Sequence, residues 1–221
     1  MALEFSRKPL VVGVVTDASV WRGLSPQDTP CDVVEFRADA MLREPLAELL
    51  GQKPSRAVLL TLRHSSEGGG WSGSEAERMH LAEQLLAAVD ALDWEIAALS
   101  GAEALLTQAK AAGKSVIASA HYFDRTPSLD EMLELEARAV AAHADVVKVA
   151  FTPQSVEDLK VGEAFLRRSR IPAAVMGMGA LGVESRKLYS RMGSALLYGY
   201  LGSEPAVPGQ LSAAQCTELC R

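Results

Sequence analysis

The chain of 221 residues has little of what several classes of protein require. It holds only three cysteines and 5% aromatic residues, and no uncharged apolar run approaches the roughly 18 residues that cross a bilayer. Lys and Arg together number 22 against 28 Asp and Glu, a formal net charge of -6. No block of basic residues is present that could neutralise a run of phosphates. We therefore expect no membrane span and no nucleic-acid partner.

The N-terminal residues and the cysteines lack the patterns of a secreted protein. The first eight residues contain no hydrophobic stretch of the kind found in signal peptides, so we expect a cytoplasmic protein. Cys31 lies in an apolar run, and Cys216 and Cys220 are one helical turn apart. Because no histidine stands beside them at ligand spacing, we interpret all three as reduced structural thiols rather than a zinc site or a disulfide.

Short apolar segments rich in β-branched residues recur along the whole chain and predict buried strands. Hydrophobic residues make up 48% of the chain, enough for a sizeable core. The predicted strands are residues 10–16, 32–36, 57–61, 93–97, 115–120, 145–149, 172–176 and 194–198. Amphipathic stretches between them predict helices at residues 74–90, 102–112, 129–142 and 155–168.

This alternation predicts an α/β protein with eight βα units. A chain of just over 200 residues has about the minimum length for a (β/α)8 TIM barrel. No linker or shift in composition divides the chain, so we expect a single domain over residues 1–221. A doubly wound open sheet shows the same alternation but concentrates its site at one switch point. Here unusual polar residues end several strands, which favours the closed barrel.

Charged residues at the ends of strands 2 and 3 suggest a site at the barrel mouth. The period of two places Glu35, Arg37 and Asp39 on one face of strand 2. Arg63 follows strand 3, and Glu67 lies in the next loop beside three glycines that permit left-handed torsions and close backbone approach. Parallel strands are covered on both faces, so we favour a site over a structural ion-pair network.

Strands 5 and 6 carry the residues with the most reactive chemistry. His121 stands at the exit of strand 5, where an imidazole can act as acid and base near neutral pH. Lys148 lies inside strand 6, where burial disfavours an ammonium and favours the free amine that attacks carbonyls. A lysine that reaches the rim, or pairs with Glu35 or Glu67, is the structural alternative. The neighbouring imidazole favours a nucleophile.

The loop after strand 7 is rich in glycine. Residues 177–182 fit the G-x-G-x-x-G pattern of dinucleotide sites, but too few βα units follow for such a site. We instead expect this loop, with Ser185 and Arg186, to bind an anionic group of a substrate. After strand 8, a Pro-Gly turn directs Gln210 towards the mouth.

Taken in order, these motifs resemble those of the type I 3-dehydroquinate dehydratases, Schiff-base enzymes of the shikimate pathway. The resemblance spans nearly the whole chain. Its motifs are E-F-R-A-D at 35–39, T-L-R-H-S-S-E-G-G at 61–69, S-A-H at 119–121, D-V-V-K-V-A at 145–150, M-G-A-L-G-V-E-S-R at 178–186 and P-G-Q at 208–210. The ordered set is far more specific than any single motif.

The resemblance implies a lyase that converts 3-dehydroquinate to 3-dehydroshikimate and water without a metal or organic cofactor. It assigns imine formation to Lys148, proton transfer to His121, and orientation of that histidine to Glu67. It assigns the substrate carboxylate to Arg186. The ring hydroxyls and the charge balance fall to Glu35, Arg37, Arg63 and Gln210. A homodimer is plausible by analogy alone.

The sequence departs from the family pattern in three places. Ala206 occupies the place of an expected serine in the segment over the site. Little chain precedes strand 1 to form the N-terminal hairpin of many members, and the stretch from Lys148 to Arg186 looks a few residues short.

Two other functions are open to this sequence. A class I aldolase shares the strand 6 lysine, and a non-catalytic barrel that binds a shikimate-like ligand is the other alternative.

Overall fold

Eight parallel β-strands form the centre of the computed structural model, which describes residues 3–5, 8–25, 29–203 and 210–220. Hydrogen-bonded neighbours follow the order β7-β6-β5-β4-β3-β2-β1-β8. The strands are β1 (Leu10–Val15), β2 (Val33–Arg37), β3 (Ala57–Thr61), β4 (Ala91–Glu95), β5 (Ser115–Tyr122), β6 (Val146–Phe151), β7 (Ala173–Gly177) and β8 (Leu196–Tyr200).

An α-helix follows each strand and covers the outside of the sheet. The helices are α1 (Ala18–Arg22), α2 (Leu46–Gly51), α3 (Glu75–Leu85), α4 (Glu103–Ala111), α5 (Leu129–Ala141), α6 (Leu159–Arg168), α7 (Gly182–Arg191) and α8 (Ala213–Leu219). Ser74, Ser128 and Ser212 begin α3, α5 and α8 with reciprocal capping boxes, in which serine and the residue three positions later satisfy each other's backbone donors. No described helix is long and apolar enough to span a bilayer.

The predicted (β/α)8 class is confirmed, and all eight predicted strands lie within two residues of the observed bounds. Strand 4 was predicted at 93–97 but runs Ala91–Glu95. Ala91 and Leu92 pair with β3 on one side and β5 on the other, so neighbouring ladders fix the start of this strand more strongly than its own apolar pattern. The single domain over residues 1–221 stays a prediction.

The barrel is nearly closed, with a seam between β7 and β8. At its lower end the Ala195 amide donates to the Ala173 carbonyl at 2.8 Å. At its upper end the Arg186 guanidinium donates to Gly177 O on β7 and to Tyr198 O on β8, at 3.2 and 3.1 Å. One side chain thus joins two strand ends where no ladder is seen among the described residues.

Two apolar cores fix the barrel. The larger lies between strands and helices, and the smaller fills the barrel interior. Leu3 and Phe5 pack against the interior core, and the Leu3 amide donates to Ser115 Oγ at 2.8 Å, at the start of β5. Residues 3–5 therefore pack at the bottom of the barrel.

Candidate active site

A cavity of about 110 Å³ opens at the C-terminal ends of the strands. Seven of the eight predicted site residues line it, namely Glu35, Arg37, Arg63, His121, Lys148, Arg186 and Gln210. A larger hollow of about 670 Å³ lies outside the barrel between α4 and α5. We place the site in the smaller cavity because it gathers charged side chains from five strands and the loops that follow them, as active sites of this architecture do.

Lys148, on β6, is buried with 4% of its surface exposed. Its Nζ lies 3.0 Å from Asp93 Oδ2 and 4.3 Å from the centre of the Tyr198 ring. Lys148 is therefore paired with an acid, and that acid is neither Glu35 nor Glu67. Asp93 and Tyr198 occupy inward positions of β4 and β8, and both face the lysine across the barrel interior.

Asp93 is shared by three donors. Its Oδ2 accepts from Lys148, while its Oδ1 accepts from Arg63 Nη2 and Ser119 Oγ, each at 2.6 Å. Burial by itself would raise the pKa of Asp93, but the charges of Arg63 and Lys148 hold it well below its usual range. The residue is therefore a permanent carboxylate beside the amine.

A second buried carboxylate continues this network away from the cavity. Glu95 Oε1 lies 3.1 Å from Arg63 Nη1 and accepts a 2.8 Å hydrogen bond from the His64 amide. Glu95 Oε2 accepts from Arg78 Nη1 on α3. Charges of opposite sign thus alternate from Lys148 through Asp93, Arg63 and Glu95 to Arg78.

His121 is held by Glu67, the one predicted site residue outside the cavity lining. His121 Nδ1 lies 2.8 Å from Glu67 Oε2. Burial raises the pKa of Glu67 to about 7, although Arg63 opposes this. Burial, with the cations Arg63 and Lys148, lowers the pKa of His121 well below its usual value. A neutral imidazole that donates from Nδ1 to ionised Glu67 presents the Nε2 lone pair as a base.

The glycines beside Glu67 have the role that the sequence predicted. Gly68 has a φ of 74°, in the left-handed region. A Cβ on Gly69 would lie 1.9 Å from the Arg63 carbonyl oxygen, so only glycine fits there. The tight turn brings Glu67 back towards β5.

Glu35 and Arg37 line the cavity, whereas Asp39 does not. Thr61 Oγ1 donates to Glu35 Oε1 at 2.7 Å. Arg37 forms a two-point ion pair with Asp39, at 2.9 and 2.7 Å. Burial would raise the pKa of Asp39, but Arg37 lowers it below its usual value. The strand 2 charges are thus partly an ion-pair network and partly cavity lining.

Within residues 8–25, 29–203 and 210–220, the side chain of the buried Arg186 is held by main-chain carbonyls. It donates to Tyr198 O, Gly177 O and Gly182 O at 3.1, 3.2 and 2.8 Å. Burial lowers its pKa, and within the described residues no carboxylate lies within ion-pair distance. Since a buried charge without an acid partner is costly, an anion from the cavity would stabilise it.

The expectation that Ser185 binds an anion is wrong. Its hydroxyl accepts from the Gly177 amide at 2.9 Å and lies 2.9 Å from Gly182 O, fully buried inside the turn. Gln210 reaches the cavity as predicted. Ala206 and the turn residues Pro208 and Gly209 lie outside the described residues.

Sequence reasoning missed the charges of β4 and their partners. Asp93 and Glu95 alternate inside a strand that is buried throughout, the same signal that identified strand 2. Arg78 carried no such signal, because an arginine on a helix is ordinarily solvated. Among the described residues, no cluster of three or more His, Cys, Asp or Glu side chains is arranged to hold a metal ion.

Comparisons with known proteins agree with the motifs. The family model of type I 3-dehydroquinase matches residues 22–221. A 3-dehydroquinate dehydratase of Methanosarcina barkeri is 34% identical, with 98% of this chain and 96% of that protein covered. One from Methanocella arvoryzae is 36% identical over 85% of each chain.

Solved structures agree as well. A type I 3-dehydroquinate dehydratase of Clostridium difficile, with covalently modified comenic acid, superimposes with a TM-score of 0.86 at 25% identity. The superposition covers 96% of this chain and 91% of that one. The enzyme of Enterococcus faecalis gives 0.80 at 28% identity, with 89% and 91% covered.

Proposed function

This chain belongs to the type I 3-dehydroquinase family, and on that premise we propose that it dehydrates 3-dehydroquinate through an imine on Lys148. The product is 3-dehydroshikimate, and the enzyme is a hydro-lyase. The observation that carries the proposal is the buried Lys148 amine in one cavity with His121 and with Arg186, which has no carboxylate partner in the part of the chain that the structure describes. Amine, base and anion site together suit a cyclic keto acid.

Imine formation is the first step of the proposed reaction. The free amine of Lys148 attacks the C3 ketone. One amine proton and one proton from solvent pass to the carbonyl oxygen, which leaves as water, and a protonated iminium remains. Its positive charge lies on the Lys148 nitrogen, so the neighbouring carboxylate of Asp93 stabilises it. Tyr198 contributes the face of its ring to the same cation.

Elimination follows by proton transfer through His121. Its Nε2 takes a proton from C2, and the electron pair moves into the iminium to give an enamine. The pair then returns as the C1–O bond breaks, and the proton held by His121 leaves with the hydroxyl as water. A water molecule finally hydrolyses the imine, so the overall change is the loss of one water.

The remaining side chains position the substrate in this proposal. Arg186 binds the carboxylate, which supplies the missing anionic partner. Glu35 and Gln210 contact the ring hydroxyls. Arg37 and Arg63, already paired with acids, donate to hydroxyls and balance the charge.

Reductive trapping tests the proposal. Borohydride added with 3-dehydroquinate should attach the ligand to Lys148, identified by peptide mapping, and Lys148→Ala should lose both trapping and turnover while it stays folded. His121→Ala is the matched control: it should still be trapped but lose roughly 10²–10⁴-fold in kcat. An unmodified Lys148 under turnover conditions, or dehydration by the alanine variant, would overturn the imine.

The other functions that the sequence left open have less support. The family match favours the dehydratase over a class I aldolase. A non-catalytic barrel is disfavoured by the intact contacts among Lys148, Asp93, His121 and Glu67. The homodimer and the cytoplasmic location stay predictions.

A further inference from the structure

Arg78 lies on α3, outside the barrel wall, yet it has no exposed surface. Its guanidinium donates to Leu62 O at 2.9 Å and to Glu95 Oε2, and it stacks 4.1 Å from the Trp94 ring. At its outer edge it pairs with Glu75 at 2.8 Å. A buried ion pair is weak evidence for stability alone, because an apolar side chain of similar volume packs as well.

Through Glu95, Arg78 is linked to Arg63 and to the loop that carries Glu67. Glu95 Oε1 binds the Arg63 guanidinium on one side and the His64 amide on the other. Arg63 in turn fixes Asp93 beside the amine. The His64 carbonyl accepts from the amides of Glu67 and Gly69, so the same contact fixes the loop that carries Glu67.

We propose that Arg78 is a positioning residue for the reaction, which acts through Glu95 to hold both Arg63 and the loop of residues 64–69. The Glu95 carboxylate thus positions the Lys148 amine through Arg63 and Asp93. It also positions His121, through the loop that carries Glu67. This inference rests on the proposed function. It goes beyond it by assigning a role to a side chain that does not touch the cavity.

Loss of this guanidinium should change catalysis in a recognisable way. In Arg78→Met, Glu95 loses its outer partner and can turn away from His64. Misplacement of reacting groups by about 1 Å costs up to about 10²-fold, so we expect kcat to fall roughly 10- to 100-fold. KM should change less, because Arg186 lies on the opposite side of the barrel. The acidic limb of the kcat/KM profile should move to higher pH.

The direction of that movement follows from the charges around Glu67. Glu95 and Asp93 raise the pKa of Glu67, whereas Arg63 lowers it. His121 is its hydrogen-bond partner. Without Arg78, the negative charge of Glu95 is less compensated, and the ionised form of Glu67 is disfavoured further.

The experiment compares Arg78→Met, Arg78→Lys and Leu85→Ala by steady-state kinetics from pH 5 to 9 and by thermal melting. Leu85 is a buried apolar residue of α3 in the core between strands and helices, so its alanine variant should lower Tm yet leave kcat and the pH profile within about twofold of wild type. Arg78→Lys keeps the charge and should recover part of kcat.

Three results decide the inference. If the wild type does not dehydrate 3-dehydroquinate, the proposed function fails. If the wild type is active but Arg78→Met matches Leu85→Ala in kcat and pH profile, Arg78 is structural only and the inference is overturned. If Arg78→Met does not fold, Arg78→Lys decides: kcat below that of Leu85→Ala supports the role, and wild-type kcat refutes it.

Discussion

Replacement of Glu67 by glutamine should remove the acidic limb of the rate profile. Burial raises the pKa of the Glu67 carboxyl from 4.5 to about 7, which corresponds to about 3 kcal/mol of extra cost for ionisation. The ionised form can only accept at His121 Nδ1, which leaves Nε2 free as the proposed base, whereas the protonated form can donate to Nδ1 and so favour the tautomer that carries its proton on Nε2. About half of the wild type is in the ionised form at pH 7 and about a tenth at pH 6.

The assay follows the conjugated enone product by ultraviolet absorbance between pH 5 and 9. For the wild type, kcat/KM should fall about tenfold for each pH unit below 7. Glu67→Gln should be slower at pH 8 by roughly 10²-fold and nearly flat below it. His121 should contribute to the rate profile at lower pH than Glu67, because burial and the nearby cations lower its pKa well below the ordinary value. A limb near pH 7 that survives in Glu67→Gln would refute the assignment.

Stability supplies a second, opposite readout for the same variant. A carboxyl whose folded pKa is raised contributes stability at low pH that is lost as the pH rises through about 7. At pH 8 the wild type carries the cost of a buried carboxylate, and the amide does not. Glu67→Gln should therefore raise the free energy of unfolding at pH 8 by roughly 1–3 kcal/mol and change it little near pH 4.5. Urea denaturation at both pH values measures the difference.

Two further variants test Arg186 and Ser185 on α7, the helix that follows β7. Arg186→Met should raise KM roughly 10- to 100-fold because a charge-assisted contact to the carboxylate is lost, and it should lower Tm because the side chain also joins β7 to β8; an unchanged KM would contradict the carboxylate assignment. Ser185→Ala should cost roughly 1–3 kcal/mol of unfolding free energy, since the buried Gly177 amide loses its acceptor, while KM stays within twofold; a large KM effect would restore Ser185 as a substrate ligand.

The sequence predicted the parts of this protein that follow from local pattern. Apolar runs of strand length, separated by amphipathic stretches, predict eight βα units whatever the register. Glu35, Arg37 and Lys148 were recognisable because charges inside strands covered on both faces must have a reason. The left-handed turn at Gly68 and the close approach at Gly69 follow from three adjacent glycines.

The rest depended on contacts between distant segments. Asp93 lies 55 positions from Lys148 in the sequence, and Arg78 lies 17 positions from Glu95. The spacing of residues within one helix or strand does not predict pairs so far apart. The start of β4 was set by its neighbours rather than by its own residues. Ser185 has the right residue type beside a glycine-rich loop, yet its hydroxyl is consumed by the turn, which only coordinates reveal.

The distribution of charge around the cavity implies how the substrate is oriented. On the side of β3, β4 and β6, each cation has a carboxylate: Arg63 and Lys148 both bind Asp93. At the seam of β7 and β8, Arg186 has only carbonyl partners among the described residues. We therefore propose that a monoanionic keto acid binds with its carboxylate at the seam and its ketone at Lys148.

This orientation places the reacting carbon between two anchors. In 3-dehydroquinate, C2 lies between the carbon that bears the carboxylate and the ketone carbon, so the two contacts fix C2 in the middle of the cavity. His121 lies on β5, the strand beside that of Lys148. If His121 is the base, as proposed, binding energy at Arg186 orients the C2–H bond, and loss of the substrate carboxylate should lower kcat as well as raise KM.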